Sequence, residues 1–390
     1  MSNSTCAYRV VHLPTSVGGN SRGLSEHLNK LGVSSETWIF QQNVFNYQST
    51  KTICTQKDGL LLRELKRFLA IIQVAIRFDV IHFNAGATWA SPVPIFGISG
   101  QGYWSKVRRF IGGLYLNALF YFEIGLYRVL GKPLFVHYQG DDARQGDFCL
   151  RNFHHSIAQY VDEGYYTPET DALKRRMIRC MTRYCEHVYA VNPDLMHILG
   201  SAARFVPYSH ISLDEWSPVY NQLEARPLRI GHAPSHRKVK GTDLILEALD
   251  QLASEGQKYE LVLVEGLSNV QARMKYEQID VLIDQLHAGW YGGLAVEAMA
   301  LGKPVMVYIR DEDLKFIPKE MKADLPFIRV TVETLKDELR QLIQMPRIEL
   351  YKIAQISRRY VERWHDPLQI ANEVKKDYEI ALRSKKRNWY

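Results

Sequence analysis

LRIGHAPSHRKVKGTDLILEALDQLASEGQKYELVLVEG, residues 228–266, is the stretch from which the fold is read. LRIGHAP is a short apolar run that predicts a strand. SHRKVKG follows as a basic loop. TDLILEALDQLASEG carries apolar residues at helical spacing, with Thr242 at a plausible cap position and Gly256 as a stop. YELVLVEG is the next strand. Strand, loop, helix and strand in this order make one unit of a parallel α/β sheet.

Downstream the pattern repeats. NVQARMKYEQI reads as a helix, DVLIDQL (280–286) as a strand, GGLAVEAMALG as a short helix and KPVMVYI (303–309) as a strand. From about residue 333 the chain is largely helical. Upstream, the strand YRVVHL (8–13) leads through the loop PTSVGGNSRG into the helix LSEHLNKLG. ETWIF (36–40), DVIHF (79–83), PLFVHY (133–138), HVYAV (187–191) and RFVPY (204–208) are further strands, with helices over 60–78 and 104–130. The stretch 212–227, with Pro218 and Pro227, breaks the periodicity. We therefore expect an α/β protein of two Rossmann-like domains facing a cleft. Residues 1–215 form the first domain and 225–355 the second, and helices over 356–390 pack back towards the first. In such sheets ligands bind at the carboxyl ends of strands.

The composition fits this outline. Among the 390 residues, 46% hydrophobic and 23% charged content excludes a disordered chain or a collagen-like fibre. The net charge of +7 is uneven: the first 140 residues hold 14 basic and 6 acidic side chains. That excess suits an anionic partner. Five widely spaced cysteines (Cys6, Cys54, Cys149, Cys180 and Cys185) form no C-x-x-C, so neither a disulfide framework nor a zinc site is expected. The start of the chain shows no basic region followed by an apolar run, and a cytoplasmic location is expected. FIGGLYLNALFYFEIGLYRVL (110–130) is the most apolar stretch. Asn117 and Glu123 interrupt it, which favours a buried or membrane-surface helix over a spanning one.

Three features carry chemistry. Gly18-Gly19-Asn20-Ser21-Arg22-Gly23 lies between a strand and a helix, where it serves either as a phosphate cradle or as a turn. Its order differs from a dinucleotide fingerprint. Arg237, Lys238 and Lys240 stand together before a helix, either to neutralise a diphosphate or as a solvated loop. In GWYGGLAVEAMALGKP (289–304), Glu297 is the only charge of an apolar helix. Buried, it needs a partner, and a pair of vicinal hydroxyls would suit its two oxygens.

In this order and spacing the three features resemble the retaining group-1 glycosyltransferases of the GT-B fold, close to the family 4 pattern, over most of the chain. GL-x-x-EAMA-x-GKPV is the most specific element. The resemblance implies transfer of a sugar, with retention, from a nucleotide diphosphate sugar to a glycan or lipid-linked acceptor, in cell-envelope or exopolysaccharide synthesis. It implies Glu297 at the nucleotide ribose and Lys240 at the donor diphosphate. Gly18 and Gly19 match the glycine loop, and Gly292, Gly293 and Leu294 the loop whose backbone approaches the donor. His137 resembles the histidine facing the donor sugar, and Asp141 is expected on the acceptor side. The family's arginine on the strand before Lys240 is replaced by His232, so Arg237 is the expected substitute. A second family glutamate, eight positions before Glu297, is replaced by Gly289. That departure also admits an inactive nucleotide-sugar or glycan binder.

The family's pattern requires no cofactor and no metal, although Asp141-Asp142 and Asp311-Glu312-Asp313 invite one. The basic, aromatic helices 60–78 and 104–130 suit either peripheral attachment to an anionic membrane surface or ordinary core helices with solvated ends. The basic patch would also permit nucleic acid, but no motif for it is present.

Overall fold

The computed structural model describes residues 8–42, 48–90 and 103–387. Cys6 and the side chains of Lys106, Arg108 and Arg109 lie outside the described residues. The chain folds as two compact units. The first comprises residues 1–147, 166–210 and 367–390, and the second residues 148–165 and 211–366.

Among the described residues the first unit holds seven strands: β1 (Arg9–Leu13), β2 (Ser34–Ile39), β3 (Lys51–Thr52), β4 (Val80–Asn84), β5 (Leu134–Tyr138), β6 (His187–Ala190) and β7 (Ala203–Phe205). They form one parallel sheet in the order β3-β2-β1-β4-β5-β6-β7. β4 and β5 are buried at every residue, as central strands covered on both faces must be. On one face, helix Asn20–Lys30 packs beside the chain's last helix, Pro367–Arg387, which contributes Ile370, Ala371, Val374 and Tyr378 to the core. Lys375 Nζ also donates to the Leu31 carbonyl oxygen at 3.0 Å, the usual placing of a cation at a helix C-terminus.

The second unit holds β8 (Leu228–His232), β9 (Tyr259–Leu263), β10 (Val281–Ile283), β11 (Val305–Val307) and β12 (Ile328–Arg329), parallel in the order β12-β11-β10-β8-β9. Its core gathers Ile230, Ile245, Leu249, Leu252, Val281, Ile283, Leu339 and Leu342. In each parallel sheet the strand order reverses once, between β1 and β4 and between β8 and β10. A crevice at the strand ends opens at such a switch point.

Three details differ from the sequence reading. The segment after residue 210 is no free linker. Val219 N donates to the Leu301 oxygen at 2.9 Å, and buried Gln222 donates to the oxygens of Asp280 and Gly302. The expected 356–390 piece is divided, because helix Arg347–Trp364 belongs to the second unit. There Arg358 donates to the Ala300 oxygen at 2.7 Å, and the Tyr360 and Tyr291 hydroxyls pair at 2.9 Å. Only the helix from Pro367 joins the first unit. Finally, Thr242 is not the cap of its helix. Gly241, at φ 77°, takes that place, and the Thr242 hydroxyl pairs with His232 Nε2 at 2.9 Å.

Candidate functional site

The site of the second unit is built at the β8/β10 switch point. β8 ends at His232, and the following loop turns into the short helix Arg237–Lys240. β10 ends at Ile283, sooner than the strand expected over 280–286, and residues 284–291 continue as a buried loop. Asp284, the first of them, is fully buried. Its Oδ1 accepts from Lys240 Nζ at 2.7 Å and its Oδ2 from the Gly292 N–H at 2.7 Å. Gly292 is the residue before helix Gly293–Ala300. One carboxylate therefore ties the ammonium of one strand-end loop to the helix N-terminus of the next. The arrangement is a closed electrostatic corner: the ammonium and the helix dipole both favour negative charge, and Asp284 holds them in place.

Glu297 lies one turn inside the same helix and is buried rather than on an exposed helix face. Gly293 and Leu294 form the first turn of that helix. Arg237 stands apart from the corner in character. Its guanidinium is half exposed and grips Glu265 with two bonds, at 2.8 and 2.6 Å. Lys238 pairs with Asp162. All three loop cations thus have carboxylate partners. His232 is occupied too: its ring nitrogens pair with the Ile283 oxygen and the Thr242 hydroxyl, each at 2.9 Å, and burial lowers its pKa. It fastens β8 to β10 rather than replacing an arginine.

Gly289, where the resemblance expects a glutamate, lies against a buried arginine. Its φ is 77°, and a Cβ there would lie 2.6 Å from the Arg310 guanidinium. Arg310, from just beyond β11, is buried. It donates to Asp313 at 2.8 Å and to the His155 oxygen at 2.6 Å, and it stacks over the Phe153 ring at 3.8 Å. A buried cation occupies the space in which a longer side chain at 289 would have to fit. Tyr160 stacks on His287 of the same loop with centroids 3.7 Å apart, so residues 148–165 cover part of this strand-end region.

The site of the first unit lies at the β1/β4 switch point. Gly18 and Gly19 have φ of 57° and 71°, left-handed conformations that a side chain would oppose, and Gly19 caps helix Asn20–Lys30. Asn20 accepts from the Ser209 N–H at 2.9 Å, but its buried Nδ2 has no hydrogen-bond partner among the described residues. His137 sits in β5 with its ring stacked on His82, centroids 5.4 Å apart, and 5.1 Å from that of Tyr189. Burial lowers its pKa to about 3, so the ring is neutral, and neither nitrogen has a partner among the described residues. His12 shares this condition, with a pKa of about 3 from burial and from His137. Asp141 accepts from the Tyr166 hydroxyl at 2.7 Å and pairs with Arg144 at 3.4 Å. Asp142 is turned inward onto the N–H groups of Gln139 and Gly140, and burial pushes its pKa up to about 6.

Among the described residues no group of three His, Cys, Asp or Glu is placed to hold a metal ion. Asp311 pairs with Arg329 and Asp313 with Arg310. Sequence reasoning missed Asp284 and Arg310. Asp284 follows three apolar residues and reads as part of their strand; only its position after the last paired residue of β10 distinguishes it.

No family model and no curated protein sequence matches the chain. Solved structures do share its fold. Sucrose-phosphate synthase from Thermosynechococcus elongatus is 13% identical with a TM-score of 0.61, over 97% of this chain and 100% of that one. The catalytic domain of starch synthase IV from Arabidopsis thaliana, bound to ADP and acarbose, is 10% identical with a TM-score of 0.56, over 97% and 100%. A UDP-GlcNAc 2-epimerase from Neisseria meningitidis, bound to UDP-GlcNAc, is 12% identical with a TM-score of 0.50, over 95% and 98%. The fold is GT-B, with two parallel α/β sheets.

Proposed function

We propose that the chain is a glycosyltransferase that moves a sugar from a nucleotide diphosphate sugar to a glycan or lipid-linked acceptor, with retention at the anomeric carbon. The observation that carries this reading is the corner of Lys240, Asp284 and the N-terminus of helix Gly293–Ala300, with Glu297 buried one turn inside. The nucleotide-bound proteins of the same fold support it.

In this reading Glu297 accepts from the ribose hydroxyls, and the backbone at Gly292, Gly293 and Leu294 faces the diphosphate. The bond from the anomeric carbon to the diphosphate oxygen breaks, and its electron pair stays on that oxygen. Lys240 and the helix N-terminus stabilise the charge where it develops. The acceptor hydroxyl oxygen bonds to the anomeric carbon, and its proton leaves with the diphosphate. Asp284 positions Lys240. Arg237 reaches the diphosphate only by leaving Glu265, which gives it a lesser part than Lys240. Gly18 and Gly19 offer backbone N–H groups, and neutral His137 can both donate to and accept from a sugar hydroxyl. Asp141 orients the acceptor side through Arg144 and Tyr166. The step uses no metal, and the product belongs to cell-envelope or exopolysaccharide synthesis on the cytoplasmic side.

Calorimetry with UDP, GDP and ADP, followed by their sugars, tests the reading. Glu297→Ala should weaken nucleotide binding by about 1.5–3 kcal/mol, the range for hydrogen bonds to a charged group. Unchanged affinity would remove Glu297 from the ribose. Product analysis separates the chemistries: transfer gives a glycosylated acceptor, epimerisation an isomerised nucleotide sugar, and a binder neither.

A further inference from the structure

Two helices of the first unit present apolar residues to the outside. Helix Leu60–Arg77 buries Ala70, Ile71, Val74 and Ala75 against the unit. Its opposite face carries Leu61, Leu65, Phe68, Leu69 and Ile76, with Leu61 87% and Ile76 71% exposed. Helix Tyr103–Val129 contains the segment Phe110–Val129, long and apolar enough to cross a membrane but 39% buried. Its two interrupting polar residues are turned inward. Asn117 Nδ2 donates to the Gly113 oxygen at 2.6 Å, and the Glu123 carboxylate accepts from the N–H groups of Trp89 and Ala90. What remains outside is Ile111, Leu114, Tyr115, Tyr121, Phe122 and Val129.

The two faces are continuous, because Phe68 stacks on Phe122 with centroids 5.8 Å apart. Half of the exposed large apolar side chains among the described residues lie on these two helices. Single exposed apolar residues are ordinary, whereas a contiguous face of this kind marks an interaction site.

The border of the face is cationic and aromatic. Arg128 and Arg183 lie over the Tyr184 ring at 4.8 and 5.6 Å, and Arg176 lies over Tyr121 at 5.6 Å. A groove of about 360 Å³ beside Val129 is lined by Tyr121, Arg128, Tyr184 and Lys385. The acids near the face are already taken: Asp58 pairs with Lys66 and Glu64 with Arg67. An apolar face bordered by arginine and tyrosine is the pattern of helices lying in a membrane interface.

We propose that this face docks on an anionic lipid bilayer, with both helices in the membrane plane. Leu61, Leu65, Phe68, Leu114 and Phe122 enter the acyl boundary, and Arg128, Arg176 and Arg183 sit among headgroup phosphates. A second copy of the chain suits the face less well, since self-pairing would set two basic borders of like sign around one contact. The proposal stands apart from the sugar-transfer reading and needs neither donor nor acceptor.

The test is flotation of the full chain with vesicles of phosphatidylcholine alone or mixed with phosphatidylglycerol, without nucleotide. The chain should float with the mixed vesicles and bind phosphatidylcholine at least about tenfold more weakly, with the difference lost at high salt. Leu61→Gln/Leu114→Gln should reduce flotation at least about tenfold while leaving the urea midpoint and circular dichroism unchanged, since both side chains are exposed. Arg128→Gln/Arg176→Gln should erase the preference for anionic lipid. Failure to float with either vesicle overturns the proposal. So does a dimer in sedimentation equilibrium that the two glutamines dissociate, which would assign the face to a second copy. Loss of nucleotide binding in calorimetry would leave the flotation result intact.

Discussion

At the carboxyl edge of the second sheet, Lys240 meets Asp284, Arg237 meets Glu265, Lys238 meets Asp162 and Arg310 meets Asp313. In the first unit, His12 and His137 are buried with four ring nitrogens that have no partner among the described residues. The two units share a parallel sheet with one switch point each, yet these two groups of polar side chains are held differently. The second fixes charge in position before any ligand arrives, which suits stabilisation of a charge that develops during reaction. The first keeps neutral groups whose hydrogen-bonding capacity is unspent, which suits hydroxyl-bearing ligands.

The largest expected effect breaks the charged corner. Asp284→Ala leaves the buried Lys240 ammonium without its carboxylate and should lower unfolding stability by about 3–5 kcal/mol. Urea denaturation measures it, and a loss below about 1 kcal/mol would show that the corner is not closed by this pair.

Next is Glu123, the buried carboxylate of the first unit, whose pKa burial raises to about 7. The folded state holds its proton more tightly than the unfolded chain does. Its contribution is therefore greatest at low pH and is lost as pH rises from about 4.5 to 7. Glu123→Gln should remove a decline on the order of 3 kcal/mol across that window. Denaturation at pH 5 and pH 8 should show parallel stabilities for the variant only, and an unchanged slope would place the titrating group elsewhere.

Gly289→Ala comes third. The left-handed φ and the contact with Arg310 should together cost about 2 kcal/mol, read as a lower melting temperature. A neutral result would show that Arg310 moves aside freely.

The smallest effect at neutral pH belongs to His137→Phe. At pH 8 it should change stability by less than about 1 kcal/mol, because it removes nitrogens that bond to nothing described. The depressed pKa of His137 means that its contribution is present above about 6.5 and is lost as pH falls towards 3. At pH 5 the variant should therefore gain about 2 kcal/mol over the parent, and a gain of zero would deny the ring its buried, neutral state.

Most strands and helices were legible in the sequence, because a parallel sheet covered on both faces requires uninterrupted apolar runs such as VIHF and LFV. The short edge strands Lys51–Thr52 and Ile328–Arg329 were not, since two residues carry no periodicity. In the site, Lys240 and Glu297 were visible as charges in telling places. Asp284 was hidden because DVLIDQL reads as one strand, and nothing local says that pairing stops at Ile283. Arg310 was hidden because its meaning depends on Gly289, which is 21 positions away and meets it only through the register of β10 and β11.

The sequence alone determined the α/β class, the repeated strand–helix plan and where charged residues such as Arg237, Lys240 and Glu297 stand along it, because spacing and side-chain chemistry are local properties. Only the tertiary structure decided which of those residues are held and by what. It paired Lys240 with Asp284, left Arg237 on Glu265, filled the space above Gly289 with Arg310 and turned Asn117 and Glu123 inward to leave an apolar outer face. Each of these outcomes depends on groups brought together across strands, and no spacing along one chain records them.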